Sequence, residues 1–82
     1  DPMHARVPPR DLLVAFYHLS PAEAELTRCL AQGLSLQDAA DALHISVNTA
    51  RTQLRSIFRK VGVSSQVGLI QQISQNLNVN HL

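Results

Sequence analysis

An all-α fold is predicted for this chain by two observations. Apolar residues recur every three or four positions through most of it, and hydroxyl-led capping signals and glycine stops punctuate those runs. The 82 residues suffice for one modest core, and a hydrophobic content of 45% fits a globular domain.

Taken in order, Asp1 to Arg10 holds three of the four prolines and reads as a tether. Met3 lies inside this stretch, which is expected of a piece of a longer protein or of a cloning remnant. Asp11 to Tyr17 is apolar almost throughout and fits either a short helix or a strand, so residues 1–18 form a linker and N-terminal extension. The domain proper is expected over 19–78. Ser20-Pro21-Ala22-Glu23 supplies an N-cap hydroxyl, a proline at the first helical position and a glutamate placed to close a capping box. Leu26, Cys29 and Leu30 follow at helical spacing, and Gly33 provides a left-handed stop. Ser35 and Asp38 open a second, short helix whose inward face is Leu36, Ala39, Ala40 and Leu43. Ser46 caps a third, which Gly62 ends. The fourth begins at Ser64 or Ser65 and carries Leu69, Ile70, Ile73 and Leu77 along one side. Asn78 to Leu82 reads as an unstructured tail.

The net charge of +1 hides a split. Asp1 to Ile45 contains three basic and six acidic residues, whereas Ser46 to Leu82 contains Arg51, Arg55, Arg59 and Lys60 and no acid. All four cations fall on the third helix. Such local asymmetry is what a phosphate-facing surface requires.

That helix carries the chemistry. Val47, Ala50, Leu54, Ile57, Phe58 and Val61 form an apolar stripe about 15 residues long, a rod of roughly 22 Å. The opposite side presents Asn48, Thr52, Arg55, Ser56 and Arg59, flanked by Thr49, Gln53 and Lys60 on one edge and Arg51 on the other. Arg51, Arg55 and Arg59 stack on successive turns without an acid to relieve their repulsion. The arginine fork suits phosphate oxygens or guanine O6 and N7, and a helix about 10–12 Å wide fits the major groove of about 12 Å. The short helix Ser35–Ala42, the tight connection Leu43-His44-Ile45-Ser46 and this longer helix make a helix-turn-helix. His44 falls where the turn needs a left-handed backbone. The fold expected is thus a four-helix helix-turn-helix domain with a short N-terminal segment.

Taken together, Leu19-Ser20-Pro21-Ala22-Glu23-Ala24-Glu25, Ala31-Gln32-Gly33-Leu34-Ser35, Leu43-His44-Ile45-Ser46, Asn48-Thr49-Ala50-Arg51-Thr52 and Lys60-Val61-Gly62-Val63 resemble the LuxR/GerE-type DNA-binding domain. The likeness runs from about Leu19 to Ile73. It implies a C-terminal output domain of a bacterial transcriptional regulator that reads double-stranded DNA with the third helix and pairs through the fourth. By position, it implies base-facing roles for Arg51, Thr52 and Arg55 and phosphate-facing roles for Thr49 and Lys60. Gln37 and Gln53 stand where many members carry lysine and histidine, as backbone contacts. Ser46, Asn48, Ser56 and Arg59 complete the expected DNA-binding set. Departures include His44 for a usual glycine, Thr27 for leucine, Gln66 for arginine, and Ala39 and Ala50 for larger aliphatics.

Val67, Leu69, Ile70, Ile73 and Leu77 are more apolar residues than one inward face easily holds. Val67, Ile70 and Ile73 are therefore expected to meet a second copy on DNA. RNA polymerase is a further candidate partner. No cofactor or metal is expected, because His4, His18, His44 and His81 are scattered with no second ligand at zinc spacing. The only cysteine, Cys29, fits a reducing cytoplasm and reads as a core residue. No apolar run approaches the roughly 20 residues a bilayer requires. An enzyme is the weakest alternative, since no nucleophile–base set falls at interpretable spacing. A helical protein–protein module would intersperse acids among the arginines. A sigma-factor promoter region shares the helix-turn-helix, but the Lys60-Val61-Gly62-Val63 break before another amphipathic helix favours the LuxR type.

Overall fold

The computed structural model describes residues 7–76. The chain forms α1 (Arg10–Tyr17), α2 (Pro21–Ala31), α3 (Leu36–Ala42), α4 (Val47–Val61) and α5 (Gln66–Asn76), with no strand among the described residues. The helix expected as third is α4, because the N-terminal segment supplies a helix of its own. Leu77 and the tail, like the first six residues of the tether, lie outside the described residues.

Local chemistry sets most helix ends. At α2 the Ser20 Oγ accepts from the Glu23 N–H at 3.1 Å, and Glu23 Oε1 accepts from the Ser20 N–H at 2.8 Å, closing the capping box. Ser35 and Ser46 cap α3 and α4 by accepting from Asp38 and Thr49 N–H, both at 3.0 Å. Ser65 does the same before α5, accepting from Gly68 N–H at 3.0 Å. At the other ends, Gly33 (φ 98°) and Gly62 (φ 88°) turn left-handed. His44 (φ 60°) does so after α3, where the Ile45 N–H reaches back to Ala40 O and the His44 N–H to Asp41 O. His18 (φ 61°) ends α1 in the same conformation, a stop the sequence does not signal.

Leu13, Leu26, Ile57 and Leu69, from α1, α2, α4 and α5, are fully buried in one core. Each contributes roughly 1.5–3 kcal/mol by leaving water. The second helix is the hub and touches the other four. Ala39 and Ala40 of α3 and Ala50 of α4 are fully buried, and their small side chains bring the two helices of the helix-turn-helix close together. Thr27, where a larger apolar residue is usual, is also fully buried, its Oγ1 donating to Glu23 O at 2.9 Å.

The extension is not a linker throughout. Leu13 and Tyr17, four apart, lie on one face of α1 and join the core, and Asn76 Nδ2 at the end of α5 donates to Tyr17 Oη at 3.2 Å. Apolar neighbours at Leu12, Val14, Ala15 and Phe16 blur that face in the sequence. Packing reaches further still, since Pro8 ahead of α1 is fully buried and its carbonyl accepts from Arg28 Nε at 3.0 Å.

Candidate nucleic-acid interface

Ala50, Leu54, Ile57 and Val61 bury one side of α4. Asn48, Thr49, Arg51, Thr52, Arg55 and Arg59 are all exposed on the rest of its surface. Among the described residues none of the three arginines pairs with a carboxylate, whereas Arg10 and Arg28, in the acidic half of the chain, both bridge to Glu25. The arginine ladder of α4 is thus uncompensated among the described residues. Its first turns carry local hydrogen bonds: Arg51 Nη1 donates to Asn48 Oδ1 at 3.0 Å, Thr52 Oγ1 to Asn48 O at 3.1 Å, and Ser46 Oγ to Thr49 Oγ1 at 3.0 Å. Gln37, exposed on α3, donates to Asp41 Oδ1 at 3.3 Å.

Three expected contacts lie differently. Lys60 is not unpaired: its Nζ donates to Glu23 Oε1 at 2.8 Å, fixing the end of α4 to the start of α2. Ser56 is half-buried on the same side, and its hydroxyl also stabilises the Glu23 carboxylate. Gln53 is half-buried and lines a shallow recess with Ala22, Glu25, Leu43 and Ile45, where its Oε1 accepts no hydrogen bond. These three residues share the flank of α4 that leans on α2, so the polar arc left to a ligand is narrower than residue type implies. On α5, Val67 is 68% exposed and Ile70 half-buried, but Ile73 is only 3% exposed. Ile73 is a core residue and is not available to a second copy, because it lies four positions beyond the fully buried Leu69 on the same face.

Glu23 is a structural anchor of the site that residue spacing misses. The capping box identifies its local role, but nothing in the sequence links it to a lysine 37 positions later. Burial pushes its pKa up, yet the hydrogen bonds from Lys60, Ser56 and the Ser20 backbone, with the Lys60 charge, outweigh that and hold the carboxyl at about 2 rather than 4.5. A carboxyl lowered on folding stabilises the domain above its unfolded pKa and loses that contribution as pH falls through the folded one. Glu23→Gln is therefore expected to cost about 1–3 kcal/mol at pH 6–7. The gap to the parent should close between about pH 4.5 and 2, as read by denaturant melts at each pH. A gap that stays constant down to pH 2 would show that the ionised carboxylate is not what stabilises.

The profile of the luxR family of bacterial regulatory proteins matches residues 17–73. The chain belongs to that family. It is 33% identical over 63 residues to the transcriptional activator protein BglJ of Escherichia coli, covering 77% of this chain and 28% of that protein. To the transcriptional regulatory protein RcsB of Escherichia coli it is 34% identical over 56 residues, covering 68% of this chain and 26% of the relative. An HTH-type transcriptional regulator of Mycobacterium bovis is 33% identical over 57 residues, which are 70% of this chain and 6% of that protein. The chain thus spans less than a third of the length of each of these relatives. No solved structure matches it significantly.

The matched segment contains α2, α3 and α4 whole and α5 as far as Ile73, so the shared unit is the helix-turn-helix with its supporting helices. The chain is thus a luxR-family helix-turn-helix domain with transcriptional regulators for relatives. No helix among the described residues is long and apolar enough to cross a membrane.

Proposed function

We propose that the chain reads specific sequences in double-stranded DNA by placing α4 in the major groove, as the output domain of a transcriptional regulator. The observation that carries this is the exposed ladder of Arg51, Arg55 and Arg59, free of carboxylate partners among the described residues and set beside Asn48 and Thr52. A rigid rod packed along its opposite side by Ala50, Leu54, Ile57 and Val61 can present those groups without reorganising. Pairing on DNA belongs to the same reading. The exposed Val67, with Ile70 at its margin, is the surface available for it, Ile73 being buried.

Fluorescence anisotropy of a labelled duplex, titrated across salt, tests the proposal. Each neutralised phosphate contributes about −0.9 to the slope of log affinity against log salt, so a slope of about −3 or steeper is expected. Affinity that barely changes between about 50 and 200 mM salt contradicts DNA binding by this face. On an inverted repeat, two copies per duplex are expected, and one copy at saturation contradicts the pairing.

A further inference from the structure

We infer that Asn48 and Arg51 form a single reading unit that presents mainly hydrogen-bond donors and so favours guanine over adenine at the base it meets. This rests on the major-groove reading of α4. A free asparagine reads adenine with both ends of its carboxamide, Oδ1 accepting from N6 and Nδ2 donating to N7. Here Oδ1 is turned to Arg51, whose Nη1 donates to it at 3.0 Å. One of the two Oδ1 lone pairs is taken by Arg51, both Nδ2 protons are free, and a guanidinium has no acceptor to add, so donors outnumber acceptors in the pair.

The pairing has a cause within the helix. Arg51 has no carboxylate partner among the described residues, and Arg55, four positions on, repels it towards the N-terminus of α4, where the carboxamide oxygen lies. Both side chains are exposed in the first turns of α4, the part of a recognition helix that meets base edges. Guanine shows two adjacent acceptors, O6 and N7, in the major groove; adenine shows one acceptor beside an amino donor, and cytosine an amino donor. A donor-rich pair satisfies guanine, whereas the adenine N6 amino group would have to share Oδ1 with the Arg51 guanidinium already bound there, donor against donor. Thr52 is the opposite case. Its hydroxyl proton goes to Asn48 O, which leaves only lone pairs to offer, so it does not compete for the same base atoms.

Selection from a random duplex library, followed by affinity measurement on the enriched site, tests the inference with the parent, Asn48→Ala and Arg51→Met. The parent should enrich guanine at one position where Asn48→Ala loses about fivefold to a hundredfold preference. Replacing that base by 7-deazaguanine, which lacks the N7 acceptor, should weaken the parent by at least about fivefold. Arg51→Met frees the carboxamide and should shift the preference at that position from guanine to adenine. A parent that prefers adenine or cytosine where Asn48→Ala acts overturns the inference, as does an Arg51→Met variant that keeps guanine. Duplex bound with no base preference that responds to either variant overturns it too, but leaves DNA binding standing. No duplex retained even at low salt overturns the DNA-binding reading itself.

Discussion

Ile57→Ala is expected to lower the stability of the domain by about 2–5 kcal/mol, the largest effect of any single truncation considered. Ile57 is fully buried on α4, in the same core as Leu13, Leu26 and Leu69 from three other helices. The cavity is difficult to close, because α4 is also held at its first turn by Ala50 against α3 and at its last by Lys60 against Glu23. A domain of this size has only about 4–12 kcal/mol of total stability, so the variant forfeits a large part of it. Urea denaturation should show the midpoint fall with an unchanged slope, and thermal melting should drop by about 10 °C or more. A fall of less than about 4 °C would mean that α4 is not held through the core in this way.

Replacing Arg51, Arg55 and Arg59 together by Ala is expected to have the second large effect, on DNA and not on folding. The three side chains are exposed, and among the described residues no carboxylate depends on them. Removing them also relieves repulsion of a few tenths of a kcal/mol per neighbouring pair. Duplex affinity should fall by at least about a hundredfold at 0.1 M salt, and the salt slope should become shallower by about 2–3. Thermal melting should be unchanged or slightly raised. Retained affinity in this variant would move the interface away from α4. Lys60 behaves differently from the arginines. Its Nζ is committed to Glu23, so truncating it is expected to act first on stability.

Much of the fold was legible because its punctuation is local. Ser20 with Glu23, and Ser35, Ser46, Gly33 and Gly62, each act within three or four residues, and a capping bond or a left-handed stop needs no tertiary partner. The apolar stripe of α4 was legible for the same reason, since its period selects the buried Ala50, Leu54, Ile57 and Val61, together with Val47 and Phe58, which lie half-buried at its margin. Features that depend on a distant element were not. The first helix is apolar on more than one face, and only packing against α2 and α5 separates the buried Leu13 and Tyr17 from the exposed Leu12 and Phe16.

The candidate site divides along the same line. Arg51, Arg55, Arg59, Asn48, Thr49 and Thr52 emerge exposed as their angular positions predict. Gln53, Ser56 and Lys60 share a flank that only the position of α2 reveals as occupied. Residue type cannot separate a lysine free for phosphate from one bound to a buried glutamate 37 residues away. Ile73 likewise follows from burial on α5 and not from hydrophobicity, which it shares with the exposed Val67.

That α4 is the surface that meets DNA is tested most directly by following the amide chemical shifts of the chain as a duplex is added. The largest changes are predicted at Asn48, Thr49, Arg51, Thr52, Arg55 and Arg59, with the Gln53 carboxamide and the Lys60–Glu23 pair nearly unmoved. Changes centred on α1 or α5, with α4 silent, would contradict it.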